Sequence, residues 1–371
     1  MQVFISGGVQ VKTDVYIVKC DSYDEADEKI GELFALMGGI GQYAKNGEKI
    51  TLKANLLSAA APEKAVSTHP AIVAAVGALA KKEGAIPLIV DSPGSGFRYT
   101  QSTLKKVYEE CGMNDAAERA GIALNMDTGS SDVSYPQGKL LKKMKVINPI
   151  LEADGVFNLC KMKTHMLMLM TGAVKNNFGI IPGMPKIAYH ARMHNKESFA
   201  DMLLDLSQFV SPRISIMDAV LAMEGEGPGP SGTPRHVGLL IASEDPLALD
   251  VVAGEIMGLP RTLNPVLMAA ERRGLAPNKI EDVKVIGEEL SALRILDYKF
   301  TKTTPKDTVR YPSIIQDNCI GCGACRDACP QKAITIQTQE DKKFAVIDID
   351  NCIRCYCCHE MCQHQAVTVS Y

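Results

Sequence analysis

Nine of the 12 cysteines of this 371-residue chain lie between Cys319 and Cys362, and eight of them repeat the spacing C-x-x-C-x-x-C-x-x-x-C. The first copy is Cys319, Cys322, Cys325 and Cys329, followed by Pro330; the second is Cys352, Cys355, Cys358 and Cys362, followed by Gln363. Three thiolates this close in sequence grip three corners of an iron–sulfur cube, and the fourth cysteine of each run serves the other cube. The spacing therefore predicts two [4Fe-4S] clusters. One is expected on Cys319, Cys322, Cys325 and Cys362, the other on Cys352, Cys355, Cys358 and Cys329. Zinc sites use four ligands in two pairs, which an unbroken double run suits poorly, and disulfides are rare in a reducing cytoplasm. Cys357 is left over and reads as a non-ligand. A chain of this length buries enough surface to fold without cross-links, so stability does not explain the cysteines.

This tail resembles the bacterial two-cluster ferredoxins over its whole length, departing at Gln363, where the second proline is missing, and at Cys357. Ala333 to Ile336 and Ala366 to Val369 are expected as the short strands that follow each run. Upstream, Phe300 to Pro312 is polar, carries two prolines and has no period of its own, as a linker does. The junction is placed near residue 305, giving an α/β domain over 1–305 and a small α+β ferredoxin-like domain over 306–371.

A formal net charge of -3 offers no general field for attracting nucleic acid or an anionic membrane. No apolar run approaches the ~20 residues of a membrane span. Met1 to Gln10 lacks the basic start and apolar segment of a signal peptide, so the expected compartment is the cytoplasm.

In the large domain, apolar β-rich segments alternate with amphipathic ones. Strands are predicted at Val11 to Cys20, Lys49 to Lys53, Ile86 to Asp91, Gly155 to Cys160, Ile214 to Ala219, Val237 to Ser243 and Asp282 to Ile286. Helical spacing covers Glu25 to Met37, Pro70 to Glu83, Gln101 to Cys111, Glu197 to Val210 and Pro246 to Met257. His69-Pro70 and Asp245-Pro246 mark helix starts, with proline at the first helical position. Such alternation predicts a mainly parallel sheet with helices on both faces.

Ligands of open α/β sheets bind at the carboxyl ends of the strands, and the unusual polar residues fall there: Lys53 and Asn55, Asp91, Lys161 and Lys163 with His165, then Asp218 and Glu224. The loops Asp91 to Gly96 and Glu224 to Gly232 could present backbone N–H groups to an anion; a plain turn is the bland alternative. Lys161, Lys163, His165 and Lys175 are interleaved with Met162, Met166, Met168 and Met170 rather than with acids. That apolar setting lowers lysine pKa values and favours a functional cluster over a solvated basic face. The methionines themselves read as core or pocket lining. His69, His165, His190 and His194 lie in motif-like settings, and three histidines on loops of one rim favour proton transfer or metal ligation.

The segments Lys53-Ala-Asn55, Thr68-His69-Pro70, Asp91-Ser-Pro-Gly94, Lys161-Met-Lys163-Thr-His165, Lys175-Asn176-Asn-Phe-Gly179, Met223-Glu224-Gly225 and Asp245-Pro-Leu-Ala-Leu-Asp250 resemble the domain of unknown function family 362 over roughly residues 10–290. Its members often carry a ferredoxin-like tail. More distantly, His165, Lys175 and His190 are spaced as in the N-terminal domain of nickel-dependent lactate racemase, whose other catalytic histidine Thr68-His69-Pro70 resembles. That likeness implies acid/base roles for His69 and His165, a covalent or anion-anchoring role for Lys175 and a metal ligand at His190. A racemase performs no net redox reaction, so the rim geometry rather than the nickel cofactor is carried forward.

The leading expectation is an iron–sulfur oxidoreductase of a low-potential, anaerobic step. Electrons would pass between the clusters and a small anionic substrate, or an additional anionic cofactor or metal, held by Lys53, Asn55, Asp91, Lys161, Lys163, Lys175, Asn176 and Glu224. His165, His69 and His190 would accompany Lys175 as the catalytic set. A redox partner protein or low-potential donor is implied, nucleic acid and a membrane span are not, and a homodimer is compatible. The alternatives are an accessory electron-transfer or maturation protein for a larger redox enzyme, and a racemase- or epimerase-like enzyme with structural clusters. Anaerobic reconstitution followed by elemental analysis should give about eight iron atoms per chain; about four, or stoichiometric zinc, contradicts the ligand assignment.

Overall fold

The computed structural model describes residues 12–94, 96–193, 195–301 and 310–369. The junction near 305 and His194 lie outside the described residues.

Nine strands form one sheet: β1 (Thr13–Lys19), β2 (Lys49–Lys53), β3 (Ile86–Val90), β4 (Ala123–Leu124), β5 (Gly155–His165), β6 (Leu169–Thr171), β7 (Ile214–Gly225), β8 (Gly232–Ser243) and β9 (Val283–Gly287). Their order is β9-β1-β8-β7-β5-β2-β3-β4, with β6 hairpinned onto β5. The run β4-β3-β2-β5-β7 is parallel throughout, and β8 is antiparallel to both its neighbours. Successive side chains alternate between two apolar layers, as a pleated strand dictates. In β8, Leu239 and Ile241 join one layer while Leu240 and Ala242 join the other. Helices Lys196–Val210 and Pro246–Met257 cover the first layer, and Ala26–Leu36 and Pro70–Lys82 the second. The sheet is thus mainly parallel and covered on both faces.

Two expectations need correction. Gly155–Cys160 continues as a fully buried strand to His165, so Lys161, Lys163 and His165 belong to β5 rather than to a loop beyond it. They were hidden because lysine is depleted in strands; at i, i+2 and i+4 they share one face. Of the histidines, His69 does end a loop, capping helix Pro70–Lys82 by accepting from the Ala71 N–H at Nδ1, whereas His165 lies in β5 and His190 in helix Pro185–Arg192.

The small domain has two hairpin-like pairs, Pro312–Ile314 with Val367–Val369 and Ile334–Gln339 with Lys342–Ile347. Pro312, read as part of the linker, therefore starts a strand. Short helices Ala324–Asp327 and Cys357–Met361 carry parts of the two cysteine runs. Tyr356 and Val369 of this domain join the apolar core of the large one. Phe97 packs on Ala328, Cys357 and Met361.

Both glycine-bearing loops seat this small domain. A Cβ at Gly96 would lie 2.9 Å from the Ala328 Cβ, and one at Gly229 would lie 2.6 Å from the Glu360 carbonyl oxygen. The Gln365 side chain donates to the Pro230 carbonyl at 2.8 Å. The glycines at 96 and 229 permit this close approach. Gly229→Ala should loosen helix Cys357–Met361 by about 1–3 kcal/mol, read as faster amide exchange there with exchange in β5 unchanged; equal protection of that helix in both proteins would refute the seat.

Candidate functional site

The carboxyl ends of β2, β3, β5 and β7 bring several lysines under one rim, where burial disfavours their charge unless oxygen atoms compensate. Lys53 Nζ contacts Asp91 Oδ1 at 2.7 Å and donates to the Ala54 carbonyl. Lys161 Nζ lies 2.7 Å from Asp218 Oδ2, both side chains wholly buried, and 2.9 Å from the Tyr23 hydroxyl. Lys163 Nζ donates to Asn55 Oδ1 and to the Val66 carbonyl, each at 2.7 Å. Lys186 donates to the Ser92 and Pro93 carbonyls. Burial lowers the pKa of Lys161, Lys163 and Lys186, taking the last two to about 7; repulsion from Lys175 and Lys161 adds to the shift of Lys163.

Lys175 differs from these. It lies on the short helix Ala173–Asn176, whose first N–H groups, of Ala173 and Val174, donate to Asp250 at 2.6 and 3.1 Å. Gly172 is required there, since a Cβ would collide with the Asp250 carboxylate. Asn176 is tied to Asn55 and Asn158. Lys175 itself makes no hydrogen bond or ion pair among the described residues. It faces a cavity of about 420 Å³ shared with Asn55, Asp91, Lys186, His190 and Glu360. Burial lowers its pKa although Glu360 pulls the other way.

His165 is fully buried, and its Nδ1 accepts from the Leu167 and Met168 N–H groups at 3.0 and 3.1 Å. Those two donors place the ring proton on Nε2. Nε2 lies 3.1 Å from Glu360 Oε1, an approach too oblique for a hydrogen bond, so both buried atoms lack one. His190 stacks on Phe199 at 4.7 Å, and its Nδ1 is likewise buried without a partner. Burial, reinforced by the cationic surroundings, lowers both histidines to about 4, so they are neutral at pH 7. Burial alone would raise Glu360, but the contact with His165 and the charge of Lys175 hold it down at about 2.

The sequence-predicted set therefore divides. Lys175, His165, His190, Asn55, Asp91 and Asn176 gather at or beside this cavity. His69 belongs to a second network: its backbone N–H donates to Asp218 at 2.9 Å, its ring stacks on Tyr23 at 3.4 Å, and Lys161 joins through Asp218. Glu224 pairs with Arg235 at 2.9 Å instead. Sequence reasoning missed Lys186 and Glu360. Glu360 stands between two cysteines of the second run, and its acidity there was the available signal.

The cysteines line two further cavities. Cys319, Cys322, Cys325 and Cys362 border one of about 340 Å³ with Ile314, Ile336 and Val367; Cys329, Cys352, Cys355 and Cys358 border one of about 330 Å³. Among the described residues no three His, Cys, Asp or Glu side chains converge on a single-ion site, whereas four thiolates around zinc at ~2.3 Å would have to meet closely. Backbone N–H groups of Ala345, Ala333 and Ala366 point at the sulfurs of Cys319, Cys329 and Cys362 at 3.2–3.3 Å. Apolar walls, spread sulfurs and N–H···S contacts fit a cubane in each.

The family described as domain of unknown function (DUF362) matches residues 50–255, and a 4Fe-4S dicluster domain matches residues 318–366. A thylakoid-associated protein of Synechocystis sp. is 34% identical over 271 residues, 72% of this chain and 81% of that protein. The lactate racemase apoprotein from Thermoanaerobacterium thermosaccharolyticum aligns at TM-score 0.44 and 12% identity, over 67% of this chain and 58% of its own. No helix among the described residues is long and apolar enough to cross a membrane.

Removing one partner of a buried ion pair strands the other. Lys161→Met should cost about 3–5 kcal/mol in urea unfolding, and the double change Lys161→Met with Asp218→Asn should recover most of it. Additive losses would show that the two groups act independently.

Proposed function

We propose, from the premise that this chain belongs to the DUF362 family and ends in a 4Fe-4S dicluster domain, that it is an iron–sulfur oxidoreductase acting on a small anionic substrate in the Lys175 cavity. The two cysteine sets would hold two [4Fe-4S] clusters, each supplying one electron at a time when bound. The observation that carries the reading is the position of Glu360. It lies between Cys358 and Cys362 in sequence and reaches into the cavity to within 3.1 Å of His165. The cysteine domain and the anion pocket thus share a wall.

Within that pocket the residues take distinct parts. Lys175 pairs with the substrate's negative charge, because the other lysines are engaged by protein oxygens. His165 already carries its proton on Nε2 and has Nδ1 occupied by two N–H donors. It acts as a hydrogen-bond donor that orients the anion, rather than the acid/base expected from sequence. His190, with Nδ1 unengaged, is the group free to move a proton. His69 and Lys161 position β5 and β7 from behind.

Electrons would enter from a redox partner protein, with a reducing cytoplasm as the compartment that keeps eight thiols available. The test uses anaerobically reconstituted, reduced protein mixed with small organic anions as candidate acceptors, with reoxidation followed by the visible absorption of the clusters. Lys175→Met should slow acceptor-dependent reoxidation by roughly 100-fold while iron content and reduction by the partner stay unchanged. Equal rates in both proteins would favour a pure electron carrier.

A further inference from the structure

We propose that Glu360 is a built-in occupant of the Lys175 cavity, standing where a substrate carboxylate binds, and that ligands of this pocket are small monocarboxylates that displace it. The inference rests on the reading above that the cavity receives an anion, and it specifies which kind.

Glu360 is 4% exposed, and its carboxylate is aimed at His165 and at the wall formed by Lys175 and His190. Three buried polar atoms around this space, His165 Nε2, His190 Nδ1 and Glu360 Oε1, have no hydrogen bond. Leaving a buried polar group without a hydrogen bond costs about 1–3 kcal/mol; His165 Nε2 and Glu360 Oε1 offset part of that through their 3.1 Å contact, and His190 Nδ1 does not. A ligand carboxylate with two oxygens, free to choose its angle, can satisfy both His165 Nε2–H and Lys175, which the tethered Glu360 reaches only obliquely.

The two cysteine runs supply an internal control. Asp327 occupies in the first run the place that Glu360 occupies in the second. Its side chain is 56% exposed and pairs with its neighbour Arg326. An acid at this position is therefore not needed inside a cavity for the cysteine run to fold. The burial of Glu360 follows from what it faces. Because Glu360 sits on helix Cys357–Met361 beside Cys358, displacing it moves the segment that carries a cluster ligand.

An occupant that competes with ligand lowers apparent affinity by the fraction of molecules in which the site is open. The test is isothermal titration of acetate and, separately, sulfate into the full-length, cluster-loaded protein under anaerobic conditions, using wild type, Glu360→Gln, Glu360→Ala and Asp327→Asn. Iron content and visible absorption report integrity, and the isosteric Gln variant guards against misfolding of the Ala one. The expected result is acetate binding at least about tenfold tighter in both Glu360 variants, with Asp327→Asn like wild type and no comparable gain for sulfate. Measurable acetate binding with unchanged or weaker affinity in both Glu360 variants overturns the occupant role while leaving the anion pocket standing. A gain confined to sulfate overturns the carboxylate class. Absence of binding by either anion in all four loaded proteins removes the pocket itself, and this proposal with it.

Discussion

Five lysine side chains, at 53, 161, 163, 175 and 186, are drawn to the carboxyl edge of one sheet, and each loses water there. A buried ammonium is tolerated only where oxygens replace that water. Four of the five meet the requirement from within: Lys53 with Asp91, Lys161 with Asp218, Lys163 with Asn55 and the Val66 carbonyl, Lys186 with the Ser92 and Pro93 carbonyls. Those oxygens come from the segments that follow β2 and β3 and, for Asp218, from β7 itself, so the pairs tie loops and strands together as much as they hold the charges. Lys175 is the exception: it is only partly buried, and its side chain faces the pocket instead of a protein oxygen. Asp250 holds the short helix beneath it, so the free ammonium is aimed rather than merely left over.

Much of this was legible in the chain itself. Alternating strand and helix patterns gave the layers because burial on both sheet faces imposes a period of two on residues such as Leu239 to Ala242. Cysteine spacing gave the two ligand groups because a cube corner sets the reach between neighbouring thiolates. What failed to show was any feature decided by partners far away in sequence. The continuation of β5 through Lys161 and Lys163 contradicts local propensity and is permitted only by Asp218, Asn55 and Val66, which lie 57, 108 and 97 positions away. His69 looked equivalent to His165 in its motif, yet it stacks on Tyr23 in a different network. Glu360 was invisible as a site residue because its neighbours in sequence are cluster ligands while its neighbours in space come from the other domain.

The asymmetry of the small domain argues the same point from the other side. Its two runs share one cysteine spacing, but the residues between the cysteines have diverged where the second run meets the α/β body. Gly323 caps the first short helix in a left-handed conformation, which glycine adopts without strain; Tyr356 occupies that place in the second with φ +60°. The cost of that conformation is offset by what the ring reaches: it enters the core of the large domain, and its hydroxyl donates to the Arg310 carbonyl at 3.0 Å. Ala324 becomes Cys357, fully buried, Asp327 becomes Glu360, and Ala328 becomes Met361, packed on Phe97. The substitutions fall on one helix, whose residues meet the large domain together with Ala328 of the first run, while Cys322 and Asp327 of that run stay exposed. A free-standing carrier has no reason to distinguish its two halves in this way. The residue of the second run that reaches the Lys175 pocket is Glu360, whereas its counterpart Asp327 in the first run stays exposed beside Arg326.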